Sequence, residues 1–489
     1  MSIQVTSHHF KKVTVNVCVW LSILIACQIE AEPVTDTDSD IVLPAPVGRA
    51  RWGEDWSVIR YLPLPDEDPS LIFKYIPLNE SGTNYLSFGG EFRFTYENYD
   101  PVDLGLSNIG EQDVALIRLA AHADWHPNKK WRVFGQLGYA AAGDREGGNK
   151  VGDESDLNIW QLFVDRHFTV SDGEQLEFRL GRQFIEMADW FIGSGEARNV
   201  RQYYDGLRVA WLDNRFSKFN AFAAEFVDAA TGSFDMSGNG EYFWGASAGF
   251  RLDTPHVNLS LLYFGWDLKD REFQQGAGQL YDETRHSFVL WAKQPVTASD
   301  QWALNYYLAY QFGRYYDSAN SNIKAYAAFG EVTYDLFPRV RTPILGLKTS
   351  YFSGDKNPND DELNTFYNPI FVTIYFSYAR DVMPYNLVHL QPNIAYRFSE
   401  KLKLTLSNDY LWRENTNDAF YTGANKIGVP AEASDARYIG NQIQLAMNWN
   451  PVPSIVTSMH LVRFWAGDVV EDGGGGDQNY ARIDLNYLF

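Results

Sequence analysis

Cysteine is nearly missing from this chain: 489 residues contain two, Cys18 and Cys27. Both fall in an N-terminal leader, so the mature chain has neither a disulfide framework nor a thiolate metal site. Long apolar runs are equally scarce. Val13 to Cys27 is the one stretch that resembles a membrane helix, and it is too short to span a bilayer. An excess of positive charge is absent as well, with 41 Lys and Arg against 62 Asp and Glu for a net charge of −21. That balance argues against nucleic acid as a partner. Nine histidines occur, yet none stands in a recognisable nucleophile motif, so a barrel hydrolase has no catalytic residue to name and no cofactor is expected. No Pro/Ser-rich linker divides the chain after about Pro77, which points to one large domain.

Aromatic residues, in contrast, are abundant: 29 Tyr and 32 Phe bring the aromatic share to 16%, while mean hydropathy is only −0.31. A transmembrane β-barrel combines these properties, because alternation dilutes its apolar residues with polar ones. The leader fits export. Lys11 and Lys12, the short apolar run and the small residue before Glu32 make residues 1–31 a signal peptide. Leu24-Ile25-Ala26-Cys27 also resembles a lipobox, which leaves acylation of Cys27 as an alternative to ordinary cleavage. Cleavage after Ala31 removes Lys11, Lys12 and Glu30 and takes the net charge to about −22.

Residues 32–85 are acidic and Pro-rich without sustained period, and read as a periplasmic lead-in or mouth segment. From Tyr85 the pattern becomes period two. Leu86, Phe88, Phe92, Phe94 and Tyr96 alternate with Ser87, Glu91, Arg93, Thr95 and Glu97, the signature of a strand with one apolar face. Further alternating segments lie near 113–125, 131–140, 157–168, 175–184, 204–212, 218–227, 242–252, 257–266, 284–293, 302–312, 324–336, 343–353, 387–398, 402–412, 437–449, 455–465 and 479–489. The sequence thus predicts an all-β transmembrane antiparallel barrel of about 18 strands over 86–489, in the outer membrane of a Gram-negative bacterium. Short turns such as 126–129 and 399–401 trade places with long loops near 141–156, 185–203, 267–283, 354–386, 413–436 and 466–478, the habit of outer-membrane barrels. Ile370 to Ala379 is assigned to a loop, since an odd strand would break this alternation.

Trp125, Trp131, Trp211, Trp302, Phe398 and Trp449 fall beside the short turns, where an interfacial aromatic girdle belongs. The last strand ends on an aromatic, Phe489, as if marked for the barrel assembly machinery. If the apolar faces meet lipid, the opposite faces line a lumen. Arg179 and Arg208 carry such a face on the two strands flanking the Gly-rich 185–203 connection.

Several stretches resemble the alginate export family of outer-membrane porins: IPLNESGTNYLSFGGEFRFTYE (Ile76 to Glu97), FRLGRQ (Phe178 to Gln183), NVRQYYDGLRVAW (Asn199 to Trp211), SGDKNPNDDELNTFYNP (Ser353 to Pro369) and RIDLNYLF (Arg482 to Phe489). The resemblance implies a constricted, arginine-rich lumen that exports an anionic uronate polysaccharide. Carried over, Arg179 and Arg182 match the family's basic GRQ strand, Arg208 the DGLR strand, Arg93 the first strand and Asp484 the acid of the last. With Arg118 and Glu91 these residues make the expected substrate path. No dense arginine run marks a constriction, and the acids Glu91, Glu97, Asp165, Glu225 and Glu331 are expected in the lumen too.

The expected partners are an anionic polysaccharide or small polar solutes, outer-membrane lipid and the assembly machinery. A general diffusion or uptake porin is the alternative function, and a plugged structural barrel a third. Each lumen arginine has a plainer role, pairing with a facing acid such as Glu91 for Arg93 or Asp165 for Arg179. Asp355, Asp360 and Asp361 offer hard oxygen ligands to calcium, although their spacing departs from an EF-hand and a solvated loop is the default.

Overall fold

The structure, a computed structural model of the chain, describes residues 51–61 and 69–489 apart from 151, 194, 196–197, 214–215, 230–231, 254–255, 276–278, 296–300, 338–340 and 424–425. The leader with Cys18 and Cys27, and residues 32–50 of the lead-in, lie outside the described residues.

Eighteen long strands follow in chain order: β1 (Tyr85–Asp100), β2 (Gln112–Asn128), β3 (Trp131–Ala142), β4 (Ser155–Ser171), β5 (Glu174–Gln183), β6 (Tyr203–Asp213), β7 (Phe216–Val227), β8 (Tyr242–Asp253), β9 (His256–Arg271), β10 (Tyr281–Gln294), β11 (Trp302–Tyr315), β12 (Ser321–Asp335), β13 (Pro343–Phe352), β14 (Leu387–Ser399), β15 (Leu402–Arg413), β16 (Tyr438–Val452), β17 (Ile455–Ala466) and β18 (Gln478–Leu488). Each pairs antiparallel with its sequence neighbours. The sheet closes where β1 meets β18, with Glu91 opposite Leu488 and Asp100 opposite Asn479. Closure gives every strand two neighbours, so no backbone edge is left to face hydrocarbon.

Parity decides which side chains meet lipid. On β1 the odd residues Glu91, Arg93, Thr95, Glu97 and Tyr99 are buried, while Phe88 and Phe94 are exposed. On β6 Ala210 is buried and Leu207 and Trp211 are exposed. All six girdle aromatics, Trp125, Trp131, Trp211, Trp302, Phe398 and Trp449, are exposed on outward-facing positions.

The interior is far from empty. The loops 184–202, after β5, and 353–386, after β13, turn into the barrel. Between them they bury Ile185, Phe191, Ile192, Phe366, Phe371, Tyr375 and Phe376 against Phe243, Phe264, Tyr307, Phe329 and Phe352 of the wall. Phe191 stacks 5.8 Å from Phe329, and Phe371 meets Phe329 at 5.2 Å. Each such ring contributes about 1.5–3 kcal/mol through burial. The segment 370–379 is loop as expected, with one 3-10 turn at Thr373–Tyr375.

At the short-turn mouth, Arg51 donates to the Gly90 and Phe489 carbonyls at 2.6 and 2.9 Å. It also pairs with Glu54. The Trp52 ring lies 4.0 Å from the Arg179 guanidinium and edge-on to Phe163 at 6.4 Å. This part of the lead-in is therefore tucked into the barrel mouth.

Candidate functional site

Six of the seven expected path residues face inward, and most are already paired. Glu91 is buried between Arg118, at 2.8 Å, and Arg201 of the 184–202 loop, at 3.0 Å. Arg93 pairs with Asp484 at 3.0 Å rather than with Glu91. Asp484 also accepts from Thr95 at 2.6 Å and Arg482 at 2.7 Å. Arg179 grips Asp165 through two nitrogens at 2.7 and 2.8 Å. Arg208, less buried, reaches Glu177 at 3.2 Å and Asn220 at 3.1 Å.

Arg182 is the exception. It shares the outward parity of Phe178 and Leu180, and pairs with Asp205 across the ladder at 2.8 Å, at the long-loop end of β5 and β6. An odd separation of three residues from Arg179 puts the two on opposite faces. Glu225 is outward too, on the parity of the exposed Phe219 and opposite Asp205.

This ionic wall secures the loops. Glu97 of β1 holds three arginines, Arg145 at 3.1 Å, Arg380 at 2.7 Å and Arg482 at 2.9 Å, and accepts from Tyr480 at 3.0 Å. Arg145 and Arg380 belong to long loops and tie them to the wall. The Arg198 and Asn199 carbonyls accept from Arg118 at 3.5 and 3.3 Å. Nearby Asp381, beside Gln478 at 2.9 Å, is raised by burial to about 6, with Asp103 adding to the rise and Lys150 opposing it.

The calcium candidates do not gather into a ligand set. Asp355 is buried, and its amide donates to Asp418 at 2.8 Å. Burial, then the charge of Asp418, push the Asp355 carboxyl up to about 7. Asp360 turns back to accept the Glu362 amide at 2.8 Å, and Asp361 gives its carbonyl to Asn322 at 2.7 Å. Among the described residues one acid and histidine cluster converges, Asp165, His167 and Glu177. Arg179 and Arg208 already occupy its carboxylates.

An open cavity of about 480 Å³ remains near the long-loop end, lined by Arg198, Arg201, Gln202, Asn239, Glu241, Lys269 and Arg271 with Asp228 and Asp270. Arg271 is engaged by Glu241 at 3.0 Å and Tyr367 at 3.2 Å. Lys269 donates to the Asn239 carbonyl. Arg198 differs: half-buried, its guanidinium has no hydrogen-bond or ion-pair partner among the described residues. Burial and the nearby Arg380 lower its pKa from the usual arginine value. Such a group gains by taking an anion. Sequence reading missed Arg198 and Arg380 because both lie in loops without period. The signal at hand was the aromatic content of Met187-Ala188-Asp189-Trp190-Phe191, unusual for a loop that stays in water.

The sequence profile of alginate export matches residues 84–484. Among solved structures, Acinetobacter baumannii OccAB1 superposes with a TM-score of 0.53 at 13% identity, over 85% of this chain and 98% of that one. Pseudomonas aeruginosa OccK9 (OpdG) gives 0.52 at 14% identity, over 83% and 98%. Pseudomonas aeruginosa OccK2 (OpdF), solved with glucuronate, gives 0.50 at 13% identity, over 85% and 98%. A search of curated proteins finds no match. At these identities the structural likeness is one of fold, an 18-stranded outer-membrane barrel. Family and fold are those of channels rather than enzymes, and with the profile covering most of its length the chain belongs to the alginate export family and is a channel of the Gram-negative outer membrane.

Proposed function

We propose that the channel passes an anionic or polar carbohydrate, a polysaccharide or oligosaccharide, and that Arg198 is the first free cation on its path. The observation that carries this reading is a guanidinium in an open cavity without a partner among the described residues, where Arg93, Arg118, Arg179 and Arg271 are each paired with an acid. A planar fork can hold a carboxylate bidentately and exchange it for the next along a chain. Arg208 extends the path toward the periplasm. Arg93, Arg118, Arg179, Glu91 and Asp484 act on it through the loops and mouth segment they hold. Outer-membrane lipid covers the apolar face, and the assembly machinery reads the closing strand with Phe489.

A second reading, uptake of small acids, is favoured by the two loops that fill the interior and by the modest size of the cavity. The neighbour solved with glucuronate binds a solute of that class. Chain length separates the two readings. Planar-bilayer currents are to be recorded with glucuronate and with an oligogalacturonate, for wild type and Arg198→Glu. The polymer reading expects stronger block by the oligomer and its loss, with a shift toward cation selectivity, in the variant. Equal block by monomer and oligomer favours the small-acid reading. A cation-selective wild type that neither sugar blocks removes both.

A further inference from the structure

The 184–202 loop presents its tip on the short-turn side of the barrel, away from the Arg198 cavity. The loop tip is a tight hairpin in which Met187 and Ile192 exchange backbone hydrogen bonds at 3.0 and 3.1 Å. Ala188 and Asp189 adopt positive φ values of 56° and 43°. Side chains resist that region of backbone space. The tip is nevertheless braced: the Trp190 carbonyl accepts from Val372 at 3.0 Å, and the Asp189 carboxylate takes Lys293 at 2.5 Å and Asn305 at 3.2 Å. Lys293 sits at the short-turn end of β10, so the tip faces the periplasm.

What the hairpin presents is an indole. Trp190 is only partly buried, with Tyr375 edge-on at 5.5 Å. The Lys348 ammonium lies 5.4 Å from the Trp190 ring and 4.8 Å from that of Tyr375. Lys348 donates to the Tyr375 carbonyl at 3.3 Å and stands opposite Glu331 across the ladder, without an ion pair between the two. Lys403 adds a second cation, with Glu331 within electrostatic reach of it. Trp291, stacked on Tyr307 at 5.8 Å and donating to Asn305 at 2.7 Å, continues the aromatic surface along the wall.

From this arrangement we infer that Trp190 and Lys348 form a stacking subsite for a carboxylated pyranose, reached from the periplasm. The negative face of an indole attracts the polarised C–H groups on one face of a sugar ring. An ammonium over the indole is placed to meet a carboxylate on a sugar stacked beside it, and the acid facing it across the ladder, Glu331, makes no ion pair with it. The inference rests on the carbohydrate reading of the channel and adds to it a site on the other side of the loop.

The test uses the full-length barrel in planar bilayers, with trigalacturonate and neutral maltotriose added from the periplasmic side. The heat-modifiable band verifies that each variant is folded. Trp190→Ala is expected to weaken block by both sugars about tenfold, Trp190→Phe to retain most of it, and Lys348→Gln to weaken trigalacturonate alone. Unchanged block in Trp190→Ala and Lys348→Gln overturns the subsite. If Arg198→Glu abolishes uronate block in that same case, the Arg198 reading survives and only the platform fails. If neither sugar blocks wild type, both fail together.

Discussion

The two sides of the barrel wall hold the same inserted loops by different means. Around the closure, from β15 through β18 and on to β6, the inner face is polar: Glu91, Arg93, Glu97, Arg118, Asp165, Arg179, Asp409, Arg482 and Asp484 are all buried and charged. From β7 to β13 it is mainly aromatic, with Phe222, Phe243, Phe264, Trp266, Tyr307, Phe329 and Phe352 buried. On the aromatic side the loops are held mostly by burial, which tolerates repacking, with Arg285 and Gln311 as polar exceptions at 2.9 Å from the Thr365 carbonyl and 2.8 Å from the Tyr367 carbonyl. On the polar side they are held at fixed points by groups that cost several kcal/mol each if left single. A loop attached in both ways has one rigid margin and one yielding margin, so any widening of the path occurs on the aromatic side.

The sharpest way to break this contrast is to unpair one buried ion. Arg179→Met strands Asp165 and should destabilise the barrel by about 3–5 kcal/mol, while Arg179→Met with Asp165→Leu recovers most of the loss. Urea titrations of the folded, heat-modifiable form measure both. An equal loss in the single and double variants would mean that the polar side is also held mainly by packing. Next in size, Phe371→Ala removes a ring from the aromatic side at a cost of about 3 kcal/mol. Because that side yields, its signature is raised or noisier single-channel conductance with the barrel intact.

A pH titration comes third. Asp381 has a raised folded pKa, so its protonated form favours the docked 353–386 loop. That contribution is complete below the ordinary Asp value of about 4 and is lost as pH rises through about 6, on the order of 2 kcal/mol in all. Conductance should therefore rise between pH 4.5 and 7.5, and Asp381→Asn should flatten the rise. The smallest effect belongs to Arg182. Its pair with Asp205 is partly exposed on the outer face, and Arg182→Ala should cost less than about 1 kcal/mol and leave ion selectivity unchanged.

Strand placement and facing were legible because period-two alternation is local. Leu86 to Tyr96 announced their face without any partner, and the same rule applied to Arg182 would have put it outside. The interior was not legible. Loops carry no period, and the contact of Phe191 with Phe329, or of Arg380 with Glu97, joins residues far apart in the chain. The pairing of Arg179 with Asp165 could be read from adjacent strands, whereas Arg93 takes its acid from β18, a neighbour only through closure. Trp190 and Arg198 were passed over for the same reason, since each acquires its role only when its loop enters the barrel.

The grip of Arg51 on the closure has a consequence in time. Its two backbone acceptors, on Gly90 and Phe489, belong to the first strand and to the last residue of the chain. They stand side by side only once β1 and β18 have joined. The segment at Arg51 therefore cannot reach both acceptors until the far end of the chain has joined the first strand. Docking of Arg51 then follows closure, and an early-synthesised segment serves as the witness that the ring is complete.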